Sequence, residues 1–348
     1  MITRHPAYDL SRRNTFGMNV SCRLYVEITD PADLPALDFE ALPQPVFILG
    51  GGSNLLFTRD FPGTVLHLAN RGIEADAEQT RVRVAAGTVF DDFCAWAAAE
   101  GLWGPENLSL IPGEAGASAV QNIGAYGVEV KDIIDTVHAF DRAERRFVDI
   151  PGSACGYGYR TSHFKTGWKG RYCVTAVTFR LSRSPKPVLD YGGLRKVLEA
   201  EQPGSTGPDG AGLTPQRVRD TVIGIRQKKL PDPAVLGSAG SFFCNPVMER
   251  AHFRRIEALA REEHGADYAV PHYEVGDQVK VPAAWMIDTC GFKGVREGGA
   301  QVYPGQPLVI VNATGHATPE EILALERRIV AAVKRIYGIE LHPEVEHI

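Results

Sequence analysis

The chain lacks the marks of several large functional classes. Its six cysteines (Cys22, Cys94, Cys155, Cys173, Cys244 and Cys290) are scattered, with no C-x-x-C pair and no framework spacing. That excludes a disulfide scaffold or a sequence-evident zinc site and predicts free thiols in a reducing compartment. There is no surplus of positive charge: 37 Lys and Arg against 42 Asp and Glu give a net −5. A nucleic-acid footprint is not expected, although local basic patches can still hold small anions. No apolar run is long enough to span a bilayer, and "MITRHPAYDLSRRN" has no signal-peptide core, so a cytoplasmic protein is expected. No G-x-x-x-x-G-K-[ST] exists, and G-x-G-x-x-G fails from Gly50 because its sixth position is Leu55. What remains is an ordinary globular composition, 44% hydrophobic and 23% charged over 348 residues, enough for two or three domains.

"VFILGGGSNLL" (46–56) reads as a buried strand entering a glycine-rich loop, and "RVRVAAG" (81–87) alternates as a second strand. Thr88 is predicted to cap a helix running to Glu100, with Asp91 at N3, Val89, Phe93 and Trp96 on one face, and Gly101 closing it. "TVHAF" and "RFVDI" flank "DRAER" as a hairpin, and 173–181 is another alternating strand. "EQPGSTGPDGAGL" (201–213) reads as an exposed insertion or linker. Thr214-Pro215 opens a helix through Val218, Val222 and Ile225. Residues 248–263 form another through Phe253, Ile256 and Leu259, 307–312 is a strand, and "TPEE" (318–321) is a capping box on a helix reaching Tyr337. No internal repeat is visible, and the order predicts an α+β protein.

Two loops have the composition of a phosphate cradle. In "GGGSN" (Gly50, Gly51, Gly52, Ser53, Asn54) the backbone N–H groups can approach an anion without Cβ obstruction. Alone, such a loop is as readily a tight turn. "IPGEAGASAVQNIGAYG" (111–127) adds Gly113, Gly116, Gly124 and Gly127 among small residues, implying close approach to something flat or phosphorylated, or a sharp turn in a crowded core. Two such loops in one half favour a nucleotide-sized ligand.

With "ILGGGSN", "IPGxxGxSxxQNxGAYG", "YGYRTSHFK", "KLPDP", "AGSFFxNP" and "PEV" in this order, the chain resembles the UDP-N-acetylenolpyruvoylglucosamine reductase family from Asn14 almost to its end. The resemblance implies a flavin domain of the vanillyl-alcohol-oxidase type in two α+β subdomains, 1–70 (joined by the tail near 340–348) and 71–228, with a substrate domain at 229–339. It also implies non-covalent FAD on Gly50–Asn54 and on Gly113, Gly116, Ala117 and Ser118, with the ring near Gln121, Asn122, Gly124, Ala125 and Tyr126. NADPH is the implied co-substrate, UDP-N-acetylglucosamine enolpyruvate the substrate, and peptidoglycan precursor synthesis the setting, in a monomer with no nucleic-acid or membrane partner.

The implied chemistry is two hydride transfers, which require a proton donor and charge stabilisation at the substrate. By resemblance Ser241 is the donor, Arg160 holds the carboxylate or developing enolate, and Glu344 lies near the reacting carbon. From the residues alone Ser241 is a turn serine. "AGSFF" lacks the second glycine of G-x-S-x-G, against a hydrolase. Glu344 alone reads as solvated tail, and His342 and His347 beside it complete no ligand set, so no metal is expected. The resemblance also assigns Lys229 and Lys293 to the nucleotide diphosphate and Asn245 and Gln306 to the sugar nucleotide, with Tyr159 beside the substrate. Tyr191 closes over the substrate in the subclass with an extra loop; alone, both lysines are surface charges. Cys244 stands where the family pattern suggests a larger or basic residue, and only four residues follow Glu344. The rivals are a flavin oxidase of the same superfold, with His67 or His138 as a conceivable covalent attachment, and a non-catalytic sugar-nucleotide sensor.

Overall fold

The computed structural model describes residues 1–78, 80–201, 203–204, 206–207 and 212–348. Of the expected insertion at 201–213, residues 202, 205 and 208–211 lie outside the described residues. Contacts divide the chain into two compact units, one of 1–9, 21–52 and 60–228, the other of 10–20, 53–59 and 229–348. Segments 10–20 and 53–59, which the sequence reading leaves within 1–70, pack with the C-terminal unit, as does the tail.

In the first unit, strand Ile2–Asp9 runs antiparallel to Ser21–Ile28, which is parallel to Phe61–Leu68, itself parallel to Val46–Leu49. Phe61–Leu68 is buried from Gly63 onward, as a central parallel strand must be. A second, antiparallel sheet is ordered Arg146–Pro151, Ile134–Asp141, Tyr172–Arg180, Arg81–Ala85, Ile73–Ala75. The strands predicted at 81–87 and 173–181 and the hairpin around "DRAER" are all in it. Val82, Val84, Val177 and Phe179 form a core with Phe90 and Phe93 of the helix Phe90–Ala99. Phe93 stacks on Phe179 at 4.6 Å.

Thr88 does not cap that helix. Val89 occupies the N-cap with no side-chain bond. The Thr88 hydroxyl instead exchanges hydrogen bonds with the Gly72 backbone, and the Phe90 N–H donates to the Gly113 carbonyl. The glycine loop itself therefore satisfies the helix N-terminus. The Pro215–Lys229 helix forms as expected and buries Val218, Val222 and Ile225 against Leu194, Leu198 and Trp103.

In the second unit, strands Gly237–Ser241, Val309–Asn312, Ala300–Val302 and Arg296–Glu297 form an antiparallel sheet. The helix expected at 248–263 runs Arg250–His264, because 248–249 belong to strand Val247–Glu249. Its buried face is Phe253, Ile256 and Ala260, while Leu259 lies off that stripe and is 45% exposed. The capping box at Thr318 and Glu321 forms on the helix Pro319–Tyr337, and Gly338 ends it at φ +69°. No disulfide joins any of the six cysteines among the described residues.

The chain's last strand, Glu346–His347, pairs parallel with Leu55–Leu56. His347 Nε2 lies 3.3 Å from Glu326 Oε2 on the Pro319–Tyr337 helix. Burial pushes the Glu326 carboxyl up to about 7 and the His347 imidazole down, so burial favours the neutral form of each. Folded Glu326 thus keeps its proton to about pH 7, whereas the unfolded carboxyl releases it near its ordinary 4.5. Its contribution is complete below the lower value and is lost as pH rises through the upper one. His347 acts in the opposite sense, so a variant isolates the glutamate. Relative to Glu326→Gln, the unmodified chain should lose on the order of 1–3 kcal/mol between pH 5 and pH 8 in chemical denaturation. Parallel pH profiles for the two proteins would contradict this.

Candidate functional site

The two glycine loops of the first unit are built against each other. A Cβ on Gly50 would sit 2.9 Å from Ala117 Cβ, and one on Gly51 would sit 3.0 Å from Gly113 Cα. The glycines at 50 and 51 are therefore needed for loop-to-loop contact. Gly116 packs in the same way on Ala86, and Gly52 adopts φ +63°. Ser118 is buried and its hydroxyl donates to the Ala115 carbonyl at 2.7 Å, so it is bound within its own helix turn. Sequence reasoning missed Glu114. Its carboxylate is 2.9 Å from His67 Nε2, while His67 Nδ1 is 2.9 Å from the Tyr25 hydroxyl. Both His67 nitrogens are engaged, as are both of His138, by Asp149 and Thr178.

The helix Ala115–Gln121 ends at Asn122, which is left-handed at φ +50° and fully buried. Asn122 Nδ2 donates to the Gly158 carbonyl at 2.7 Å, and Oδ1 accepts from the Lys131 N–H, so its amide fastens the turn. Gln121 is different. Lys165 Nζ holds its Oε1 at 2.5 Å, while its Nε2 is enclosed with no hydrogen-bond partner among the described residues.

Gly124–Ala125 then pairs with Val128–Glu129 across a tight corner where Tyr126 and Gly127 are both left-handed. Three other residues converge on this corner. Arg160, also left-handed at φ +54°, donates from Nη2 to the Gly124 carbonyl at 2.6 Å, with its guanidinium 5.2 Å from the Tyr159 ring. A Cβ on Gly124 would lie 2.7 Å from Arg160 Nη1. Tyr191 packs beside Gly127. Asn107, another residue the sequence did not flag, donates to both the Tyr126 and Val188 carbonyls. Strained backbone at Asn122, Tyr126 and Arg160 concentrates at this hairpin and its support.

In the second unit, Ser241 ends the strand Gly237–Ser241 immediately after Gly240 at φ +71°. The pairing with Val309–Asn312 slips between Ser238 and Ser241, a bulge of the kind that re-aims a side chain. Among the described residues no protein group hydrogen-bonds the half-buried Ser241 hydroxyl, so the histidine contact a serine nucleophile needs is missing. The tail runs beside this segment: Cys244 N–H donates to the His342 carbonyl and Glu344 N–H to the Phe242 carbonyl. Asn54 accounts for its side chain here, Nδ2 donating to the Glu344 carbonyl at 3.2 Å. Asn54 and Ser53 belong to this unit, apart from Gly50, Gly51 and Gly52.

Asn245 Oδ1 accepts from the Ala283 N–H at the start of the helix Ala283–Thr289, and its NH₂ has no hydrogen-bond acceptor among the described residues. Gln306 is half-buried in the turn between Tyr303 and Val309. Lys229 is exposed at the end of its helix, and Lys293 is exposed 3.6 Å from Asp288.

A sequence family described as "FAD binding domain" matches residues 24–145, and "UDP-N-acetylenolpyruvoylglucosamine reductase, C-terminal domain" matches 232–348. The reductase of that name from Bacteroides fragilis is 44% identical over 98% of this chain and 99% of its own length. The one from Chromobacterium violaceum is 46% identical over 97% of this chain and 96% of its own. This chain belongs to the UDP-N-acetylenolpyruvoylglucosamine reductase family. The crystal structure of the Thermus caldophilus reductase shares its fold, with a TM-score of 0.67 and 23% identity over 100% of this chain and 98% of that one.

The first unit of this family member fits a flavin. The enclosed, unpartnered Gln121 Nε2 is a donor in want of an acceptor, on the segment leading into a constrained, glycine-lined corner. FAD is the family's cofactor, and no cluster of three metal-ligating side chains occurs among the described residues. Because Gly51 sets the spacing of the two loops, Gly51→Val should cost about 1–3 kcal/mol in stability and weaken FAD retention at least tenfold. Equilibrium dialysis of the purified variant against FAD checks this, and wild-type retention would refute it.

Proposed function

We propose that this chain reduces UDP-N-acetylglucosamine enolpyruvate to UDP-N-acetylmuramate with NADPH, acting as a monomer in the cytoplasm. The observation that carries the reading is the near-full-length match to reductases of that name, joined to a serine hydroxyl with no hydrogen-bonded base among the described residues. No helix among the described residues is long and apolar enough to cross a membrane.

Bound FAD would accept a hydride from NADPH and deliver it to the methylene carbon of the enolpyruvyl group. Everything else falls to the chain. Hydride addition leaves an electron pair on the neighbouring carbon, conjugated with the carboxylate. The Ser241 hydroxyl supplies the proton that completes that carbon. Arg160 offers planar paired donors to the carboxylate as charge builds there; its Nη2 is anchored on Gly124, which fixes where the remaining N–H groups point. Glu344, placed by its N–H donating to the Phe242 carbonyl and its carbonyl accepting from the Asn54 side-chain amide, stands on the segment next to Ser241. Lys229 and Lys293 bind the nucleotide diphosphate, Asn245 its polar edge through the side-chain NH₂, and Gln306 the sugar nucleotide. Tyr159 and Tyr191 border the substrate.

The oxidase alternative loses its conceivable covalent anchors, since His67 and His138 each spend both nitrogens on protein partners. An anaerobic spectrum tests the proposal: NADPH should bleach the flavin band, and the UDP-enolpyruvyl sugar should restore it. Bleaching without restoration by the sugar would sink the assigned substrate.

Ser241→Ala should leave flavin reduction by NADPH within about twofold while slowing reoxidation by the sugar nucleotide at least a hundredfold. Stopped-flow separates the half-reactions, and equal damage to both would count against a proton donor. Arg160→Lys should lower kcat at least tenfold, because an ammonium cannot reproduce a two-point carboxylate contact. Near-normal steady-state turnover would remove Arg160 from that role.

A further inference from the structure

The Pro319–Tyr337 helix buries Ile322, Leu325, Ile329 and Val333, and Glu326 is buried among the same set of positions. A carboxyl there costs free energy that an apolar side chain would not, unless a partner compensates it. Arg327, next to it in sequence, is paired with Glu320. What lies within reach is His347 on the chain's last strand, its Nε2 3.3 Å from Glu326 Oε2. The Glu326 side chain is 11% exposed and that of His347 30%, so the imidazole links a closed carboxyl to solvent. Close as they are, Glu326 Oε2 makes no aligned hydrogen bond among the described residues. A small movement of the tail makes or breaks such a contact.

His347 also touches the segment that carries the proposed proton donor. Its ring packs on that of the fully buried Phe242, with centroids 6.1 Å apart. Phe242 directly follows Ser241, and its carbonyl accepts from the Glu344 N–H at 2.8 Å. Backbone bonds set the height of the tail along Leu55–Leu56: Glu346 N–H donates to the Asn54 carbonyl at 3.0 Å, and the Ile348 carbonyl accepts from the Thr58 N–H at 2.9 Å. The His347–Glu326 contact is a side-chain tie from this strand to the helix. Burial favours the neutral carboxyl, with Arg327 opposing it in part, and burial also favours the neutral imidazole. Leu55, Leu56 and Phe242, against which the tail lies, bring no titratable group. A neutral carboxyl can donate to an unprotonated Nε2; once its proton is gone, a buried anion remains.

We propose that Glu326 and His347 are positioning residues, whose shared proton seats the tail strand and through it Glu344 for the sugar-nucleotide half-reaction, a role that rests on the reading of Glu344 given above. Glu326 keeps its proton to about pH 7, so the latch is closed below that value and opens above it.

Stopped-flow on the flavin-loaded enzyme tests this at pH 6 and pH 8.5, for the unmodified chain, Glu326→Gln and His347→Ala, with melting temperatures alongside. Glutamine cannot ionise, so the fall in reoxidation by the UDP-enolpyruvyl sugar between the two pH values should be about fivefold smaller in Glu326→Gln. Flavin reduction by NADPH should keep the same pH profile in both proteins. His347→Ala, altered at the solvent-reached member, should slow reoxidation about fivefold at pH 6 with reduction within about twofold, and it carries the test if Glu326→Gln does not fold. Amide exchange over 345–348, taken relative to Glu326→Gln, should be about threefold faster at pH 8.5 than at pH 6. Matching reoxidation profiles in the unmodified chain and Glu326→Gln would overturn the proposal. Equal damage to both half-reactions with a lower melting temperature would overturn it in favour of a purely structural role. An exchange difference in an enzyme that the sugar does not reoxidise would support the latch and sink the reading of Glu344 instead.

Discussion

The geometry of the first unit depends on how closely two backbones can approach where Gly50 and Gly51 meet Gly113 and Ala117. At 2.9 to 3.0 Å from a would-be Cβ, neither position admits a side chain without moving a neighbour. The consequence extends beyond the loops. Gly113 also gives its carbonyl to the Phe90 N–H, so the same contact caps the start of the helix Phe90–Ala99 and leads into Ala115–Gln121. From there Asn122 reverses the chain and the Tyr126 corner follows. Glu114, between the two glycines of "GEAG", is held by His67 from the central parallel strand, which ties the loop to the sheet. A chain of rigid attachments thus runs from strand to loop to helix to corner, as a site of fixed geometry requires.

Much of the fold was legible because it is governed by periodicity or local chemistry. Alternation at 81–85 and 172–180, apolar spacing through Val218, Val222 and Ile225, and the Thr318–Glu321 box each depend on residues a few positions apart. The failures share the opposite property. Thr88 lost the cap to a carbonyl more than twenty residues away, and Asn54 turned to a backbone 290 positions distant. Leu259 was misread because Ala260 continues the Phe253–Ile256 stripe, and alanine gives a weak hydrophobic signal.

The site was legible by composition but not by role. Glycines, amides and an arginine in short motifs mark a place where backbone is crowded and polar groups gather. They do not say which amide fastens the turn and which keeps an unmatched donor. Asn122 and Gln121 are adjacent in sequence, yet the first is satisfied on both sides and the second has an unmatched donor. Arg226, whose Nε is enclosed with no hydrogen-bond partner among the described residues, is just as hard to read: beside Gln227, Lys228 and Lys229 it looks like one more charge on a solvated helix end. Only the Arg219–Asp91 pairing shows which charge is left without a counterion.

The role proposed for Ser241 turns on what its hydroxyl needs from its surroundings. A serine nucleophile must give its proton to a base before it attacks, so the base has to be in place beforehand. A serine proton donor needs nothing while it waits; it needs a strong base to appear, and carbon bearing a fresh electron pair is one. The bulge at Gly240 and the want of a hydrogen-bond partner among the described residues suit the second requirement better than the first. Such a donor leaves an alkoxide behind, which must be reprotonated between turnovers. Because the second unit offers that hydroxyl no partner among the described residues, water is the consistent source of the returning proton, and the site need only be dry while the hydride moves.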